Sequence, residues 1–414
     1  MSRLTIIFLT IFVDLIGFGI VLPLLPFYAQ EFGASPLVIG LIVAAHPAMQ
    51  FVFGPLWGRL SDRVGRRPIL LLGLVGSGFS YLIFALAGNV AWLFASRMMA
   101  GMAGANVPVS QAYIADSTDL ANRTRGMGLV GAAFGLGFIA GPAIGGALSQ
   151  FGYAVPGFFA AALCFGNAAA AFFHLPESLS PELRARAASQ AAAGPLGRLK
   201  LAVHFARSPA IATLMAIFVI ATFVFAAFTT VFPLWLGVEL GYDARHAGYL
   251  MAFLGLVMAV LQGRLLGPLA RRFGERRLLV TGTSTLVAAY LLLPLSGALV
   301  TLLVTLALIA SGTGLNWPTL NSLASQYTEL DRQGAILGVM QSLSALGRMM
   351  GAMWAGWVFG TWSPAAPFVL CAALMGLAAT AAVLFMTKAP TPAPERREPA
   401  LSSALPTPGA SRTN

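Results

Sequence analysis

The chain has 414 residues, of which 58% are hydrophobic and only 9% charged, and its mean hydropathy is +0.81. A soluble domain carries about 25% charged residues, so a water-soluble globule is excluded and the chain belongs in a bilayer. The net charge of +11 would suit a nucleic-acid binder, but the basic residues are segregated between apolar runs and read as a topology signal instead.

A spanning helix needs roughly 20 predominantly apolar residues. Twelve such runs follow one another, at about 4–27, 36–57, 69–88, 90–114, 126–149, 153–174, 209–237, 244–266, 278–297, 299–326, 334–360 and 364–387. The first is too long for the apolar region of a cleavable signal, contains Asp14, and ends in Pro26-Phe27-Tyr28 rather than at small residues. With the N-terminus inside, the inner segments hold 21 of the 25 Lys and Arg, and the outer loops hold only Arg245. This predicts both termini on the cytoplasmic side. Cys164 and Cys371 both lie inside apolar runs and read as small apolar residues, with no disulfide framework.

The expected fold is an all-α polytopic membrane protein, with twelve transmembrane helices in two pseudo-symmetric six-helix bundles. The first bundle covers 1–174 and the second 209–387. Between them, 175–208 is polar and Ala-rich and reads either as a flexible cytoplasmic linker or as an amphipathic surface helix. The Pro-rich stretch 388–414 reads as a disordered cytoplasmic tail.

Two basic hairpins mark the duplication. The first is Gly58-Arg-Leu-Ser-Asp62-Arg63-Val-Gly65-Arg66-Arg67. The second, 209 residues on, runs from Gly267 to Arg276 and has Arg271 where the first has Asp62. Gly58 and Gly65 fit close packing and a tight turn. Asp62 stands where it can cap a helix end or pair with an arginine, so the cluster could act as a conformational latch; the competing reading is a plain topology anchor. Internal repeats of this kind place a substrate site near the midplane, between the halves.

The first hairpin resembles the loop between spans two and three of the major facilitator superfamily. Asp14-Leu-Ile-Gly17 through Pro23 and Pro26 resembles the first-span motif of its twelve-span drug:proton antiporters, and Arg97-Met-Met-Ala-Gly101-Met-Ala-Gly104 their fourth-span motif. Gly131 through Gly137, Gly141, Pro142, Gly145 and Gly146 resembles their fifth-span antiporter motif. The resemblance covers about 4–387 and implies a proton-driven exporter, similar to the tetracycline exporters. The second half departs from these: their eighth-span His falls on Met258, and their ninth-span Asp falls in Thr281–Thr285, which has no carboxylate. A broader apolar or amphipathic drug or metabolite is the expected substrate.

The residues give their own reasons. Asp14 lies about 16 Å along its helix from Arg3. A carboxylate at that depth costs a few kcal/mol and is a functional candidate by default. Taking a proton relieves that cost, so Asp14 is the first proton-coupling candidate; a structural Asp bonded to neighbouring helices is the competing reading. His46 titrates in the right range and is the second, against the reading of a packed core histidine. Arg97 and Arg348 are deep cations. Arg97 could pair with Asp14, and Arg348 could meet helix carbonyls or an anionic substrate group. Asn106, Gln111, Asn316, Asn321 and Gln341 are polar residues in spans four, ten and eleven, for cavity lining or interhelical bonding. The close Gly spacing from Gly131 to Gly146 fits tight helix packing, with Pro142 bending the helix.

No nucleotide-binding loop and no metal-ligand spacing occurs, so neither ATP drive nor a cofactor is expected, nor enzymatic activity. The expected partners are a small-molecule substrate, protons and the lipid bilayer, with no nucleic acid, in a monomer of the bacterial inner membrane. The alternative function is uptake or uniport of a small metabolite, which Arg97 and Arg348 could recognise if it is an anion.

Overall fold

The computed structural model describes residues 3–104, 106–117, 120–179, 195–329 and 332–388, and within these the regular structure is helical. In chain order the helices are α1 (Arg3–Glu31), α2 (Pro36–Val64), α3 (Arg66–Ala85), α4 (Val90–Ala103), α5 (Asn106–Ser117), α6 (Leu120–Ser149) and α7 (Ala154–His174). Then come α8 (Pro195–Phe205), α9 (Pro209–Leu240) and α10 (Ala244–Val260), the last continuing through a π turn (Leu261–Leu265) into α11 (Leu266–Phe273). The chain ends with α12 (Glu275–Leu292), α13 (Leu299–Gln326), α14 (Gln333–Thr361) and α15 (Ala366–Lys388). Part of the expected linker is thus the helix α8, and the expected tail beyond Lys388 lies outside the described residues.

Ten helices among the described residues are long and apolar enough to cross a membrane, against the twelve runs read from the sequence. The two exceptions have physical causes. The fourth run is divided between α4 and α5. Pro108 has no N–H to give the Gly104 carbonyl four residues back, and the Gln50 Nε2 donates to that carbonyl instead, at 3.5 Å. The eleventh run is one helix, α14, but it carries Gln341, Ser342, Ser344 and Arg348 and falls outside the ten. Pro268 has a similar effect on the eighth run: the carbonyl it cannot serve belongs to Arg264, inside the π turn. Helix α6 runs unbroken through Pro142.

Small residues set the packing, because lipid gives no hydrophobic drive between helices. Along α6 one face meets α1: a methyl group added at Gly137, Gly141 or Gly145 would lie 2.6 Å from the Leu15 Cβ, 2.7 Å from the Ile16 carbonyl and 2.7 Å from the Ile20 carbonyl. The neighbouring Gly146 meets the second half of the chain instead. A methyl there would be 2.9 Å from the Arg245 carbonyl and 3.1 Å from the Gly248 Cα of α10. Helix α14 repeats the scheme, with Gly347 and Gly351 against Thr222 and Phe223 of α9, and Gly356 against Pro36 and Gly40 of α2.

These two cross-half contacts, α6 with α10 and α2 with α14, begin at the end away from the termini and reach mid-helix, where a methyl at Gly255 would lie 2.6 Å from the Phe138 carbonyl and Arg348 bonds to Gln50. Toward the hairpin end, a methyl at Gly54, Gly58, Gly128, Gly131, Gly263, Gly334 or Gly338 would meet nothing within 4 Å. The four helices touch from that end to mid-helix and part beyond it, so the space between them opens on the hairpin side. The close packing expected at Gly58 is absent from this arrangement for that reason.

A larger residue at position 248 cannot be accommodated here, because its Cβ would lie 2.5 Å from the Pro142 carbonyl; such overpacking costs about 1–3 kcal/mol. Gly248→Leu is therefore expected to force the closed end apart. The check is the labelling rate of Ala244→Cys, a buried position on α10, by a membrane-impermeant maleimide in a background lacking Cys164 and Cys371. Labelling should be slow with Gly248 in place and several-fold faster once Gly248→Leu is added; equal rates refute the packing argument.

Candidate functional site

The polar groups of the interior gather where α1, α2, α4 and α14 face one another. Asp14 of α1 is half-buried. It accepts hydrogen bonds from Asn106 Nδ2 at 2.9 Å and from Ser77 Oγ at 3.3 Å, both on Oδ1. Asn106 is delivered by the break in the fourth run: it is the first residue of α5, fully buried, and lies over Gly73 of α3, where a side chain would collide with its Oδ1.

The expected pairing of Arg97 with Asp14 is not made. Arg97 is 4% exposed. It donates from Nη2 to Ser96 Oγ at 3.2 Å and lies over the rings of Tyr81 and Phe84, each 5.9 Å from the guanidinium carbon. Tyr81 in turn packs on Gly17, one turn beyond Asp14 in α1. The arginine is held by aromatic faces and reaches the carboxylate only through its neighbours.

Arg348 has a partner that its sequence context does not announce. Its Nη2 donates to Gln50 Oε1 at 2.7 Å, across from the second half to the first, and its Nη1 donates to Ser344 Oγ at 2.9 Å. Gln50 thereby joins Arg348 to the Gly104 carbonyl at the break between α4 and α5. His46 lies one turn before Gln50 on α2, with Phe18 5.5 Å from its ring and, among the described residues, no partner for Nδ1.

The other polar candidates divide. Asn316 is fully buried over Gly282, as Asn106 is over Gly73, but its amide has no hydrogen-bond partner among the described residues. The Gly137–Leu15 contact corresponds to Gly347–Thr222, so the position matching Asp14 in the second half is Ala221. Asn321 donates to Trp317 of its own helix at 2.9 Å, Gln111 is half-buried on α5, and Gln341 is exposed.

The first hairpin forms a tight network. Gly65 turns the chain at φ 119°, which favours glycine. Arg66 donates to Asp62 at 2.5 Å, to Ser61 at 2.7 Å and, through Nε, to Asp116 of α5 at 3.0 Å. Arg67 donates to the Phe172 carbonyl, while Arg63 is exposed. Glu177, past α7, is a functional residue that sequence reasoning missed. Its carboxylate accepts the N–H groups of Arg66, Ser178 and Leu179 on Oε1, at 2.9, 3.0 and 3.1 Å, and of Arg67 on Oε2 at 3.2 Å. It so caps the start of α3.

The second hairpin keeps the geometry with reversed polarity. Gly274 turns at φ 79°. Where the first hairpin has Arg66 reaching Asp116, the second has Glu275, which accepts from Ser322 at 2.8 Å and Gln326 at 2.9 Å of α13. Arg276 donates to the Tyr327 hydroxyl. Arg271 is exposed.

At the opposite, closed end Tyr153 stacks on Tyr28 with ring centroids 5.2 Å apart.

This helical plan, with its repeated glycine contacts and paired hairpins, agrees with the comparisons to known proteins. The family model described as Major Facilitator Superfamily matches residues 7–352 and 263–411. The chain belongs to the major facilitator superfamily. It is similar to the class D tetracycline resistance protein of Salmonella ordonez, 31% identical over 389 residues, covering 92% of this chain and 96% of that protein. It is 32% identical to multidrug resistance protein 2 of Bacillus subtilis over 355 residues, covering 84% and 86%. Among solved structures, the human organic anion transporter MFSD10 matches with a TM-score of 0.70 at 27% identity, covering 92% of this chain and 98% of that one. These relatives are transporters rather than enzymes, and membership of the superfamily makes this chain an integral membrane transporter.

Glu177 alone satisfies four backbone donors, two of them at the start of α3. Glu177→Ala strands these N–H groups and is expected to lower stability by about 1–3 kcal/mol, with Glu177→Gln intermediate. Thermal unfolding of the detergent-purified chain reads this; an unchanged midpoint for the alanine variant contradicts the capping role.

Proposed function

We propose that this superfamily member is a secondary active exporter that expels a small apolar or amphipathic drug or metabolite in exchange for protons by alternating access. In this reading twelve spans form two six-helix bundles, 1–174 and 209–387, which rock about the glycine contacts of α2 with α14 and α6 with α10. Both termini are cytoplasmic, the membrane is a bacterial inner membrane, and the carrier works as a monomer. The space that opens on the hairpin side is then the inward-facing cleft.

The observation that carries the reading is the setting of Asp14. Both its donors, Asn106 and Ser77, are neutral and reach the same oxygen, Oδ1. No cation pairs with it among the described residues, so a proton is the counter-charge within reach of the half-buried carboxylate. A charge at this depth that can be discharged by protonation is what a proton-driven carrier requires. The names of the relatives, tetracycline resistance and multidrug resistance proteins, support export. Nothing in Thr281–Thr285 or at Met258 argues for tetracycline itself.

A second reading, uptake or uniport of an anionic metabolite, is favoured by one observation: the likeness to MFSD10, an organic anion transporter. Direction of flux separates the two readings, since an exporter depletes and an uptake carrier accumulates its substrate in cells.

Asp14→Asn keeps a hydrogen-bond acceptor but cannot titrate. It is expected to abolish substrate-driven proton flux in everted vesicles, and resistance in an efflux-deficient bacterial host, while the purified variant unfolds at a wild-type temperature. A fully active, normally expressed Asp14→Asn variant sinks the assigned role.

A further inference from the structure

We propose that Arg348, held by Gln50 across the junction of the two halves, is the seat of an anionic group on the transported compound, and that the substrate is an amphipathic organic anion. This rests on the carrier reading and adds to it a substrate class and a recognising residue.

Arg348 lies midway along α14, half-buried, inward of the Gly40–Gly356 contact, where Gln50 of α2 reaches it. Its guanidinium donates to Ser344 Oγ one turn back on the same helix and to Gln50 Oε1 on α2. Both partners are neutral. No Asp or Glu oxygen among the described residues lies within ion-pair distance of it. A cation removed from water without a counter-charge is costly, and a planar guanidinium is shaped to receive a carboxylate through two parallel N–H bonds.

The surroundings point the same way. Gln50 turns its oxygen to Arg348 and its Nε2 toward the Gly104 carbonyl, 3.5 Å away. One turn earlier on the same helix, the Nδ1 of His46 is buried without a partner among the described residues and could bond to a second oxygen of a bound anion. The only carboxylate deep in the described spans, Asp14, is already engaged by Asn106 and Ser77. The two guanidinium groups of Arg97 and Arg348 against the one carboxylate of Asp14 leave the centre positive. Phe18 lies beside His46, with the Phe138 ring 6.1 Å beyond it; both rings are partly exposed and offer an apolar surface for the body of the ligand. Expelling an anion while admitting protons also runs with an interior-negative membrane potential on both legs.

The test is binding to the detergent-purified full chain, read as thermal stabilisation across matched pairs of aromatic carboxylates and their primary amides, beginning with 1-naphthaleneacetate and 1-naphthaleneacetamide. The wild type should be stabilised by the acid and not by the amide. Arg348→Gln should bind the acid about tenfold to a hundredfold more weakly, the range expected for loss of a charge-assisted bond, and Arg348→Lys should retain part of the response. Gln50→Glu guards against misfolding: it gives Arg348 a resident carboxylate, so the unliganded protein should be at least as stable as the wild type while the response to the acid disappears. Equal responses to acid and amide, no response to any acid of the series, or an Arg348→Gln response equal to the wild type each overturns the proposal. Because binding in detergent needs no proton gradient, its outcome is separate from that of Asp14→Asn on flux: an active Asp14→Asn carrier leaves the anion seat standing, and a failed anion seat leaves proton exchange standing.

Discussion

Backbone-to-backbone contact through glycine, at one end of four helices, is the constraint on which the rest of the arrangement depends. Gly146 with Gly248 and Gly40 with Gly356 bring main chains closer than any side chain allows. Such contacts have little tolerance: a shift of a few tenths of an ångström forfeits them, because dispersion falls steeply with distance. They are therefore made or unmade as a unit. The contacts run from one end to mid-helix, the glycines nearer the hairpins meet no neighbour across the halves, and the interior charges lie where the contacts give out. Asp14 and Arg348 are only half-buried there, so neither charge is sealed in an apolar interior, where it would be costly.

The interior polar groups are ordered by proline as much as by charge. Pro108 removes the donor that the Gly104 carbonyl would have had, and a helix in lipid cannot leave that carbonyl empty. Gln50 fills it. Having done so, its amide oxygen is fixed and available to Arg348 from the other half. The same interruption starts α5 at Asn106, whose amide then reaches Asp14. One backbone defect thus positions both the partner of the carboxylate and the partner of the second cation. This gives the two charged sites a common support that neither possesses alone.

Much of the scaffold could be read in the residues, and the reasons for the exceptions are local. Long apolar runs announce most of the spans because the bilayer punishes exposed backbone. The fourth run read as one helix, since Gly104 and Pro108 are common in membrane spans and hydropathy averages over them. Asp14 stood out because a lone carboxylate in the apolar run 4–27 has no other excuse. Its partners did not, because which face of α5 meets α1 depends on crossing angles that no single segment encodes. Arg97 does not pair with Asp14 for that reason, and Tyr81 and Phe84 offer its guanidinium two ring faces instead. Gln50, between Met49 and Phe51, reads as one polar residue in a span, and only the carbonyl left by Pro108 gives it a task. Glu177 was hidden in what reads as the start of a linker.

The halves have kept a frame and lost its chemistry in different places. Gly65 and Gly274 turn alike, yet the charged residue that follows is arginine in one and glutamate in the other, and the contact with the next helix pair persists with donor and acceptor exchanged. Asn106 and Asn316 lie over equivalent glycines, but only the first has a carboxylate to bond, because Ala221 stands where Asp14 would be. Conversely, Arg348 has Phe138 as its counterpart one repeat earlier, since Gly141 corresponds to Gly351. A duplicated carrier with two identical halves would place like charges face to face at the midplane, where repulsion is least screened. Keeping the carboxylate in one half alone avoids a facing pair of carboxylates, and with Arg348 in the other half the proposed proton site and the proposed anion seat are separate groups.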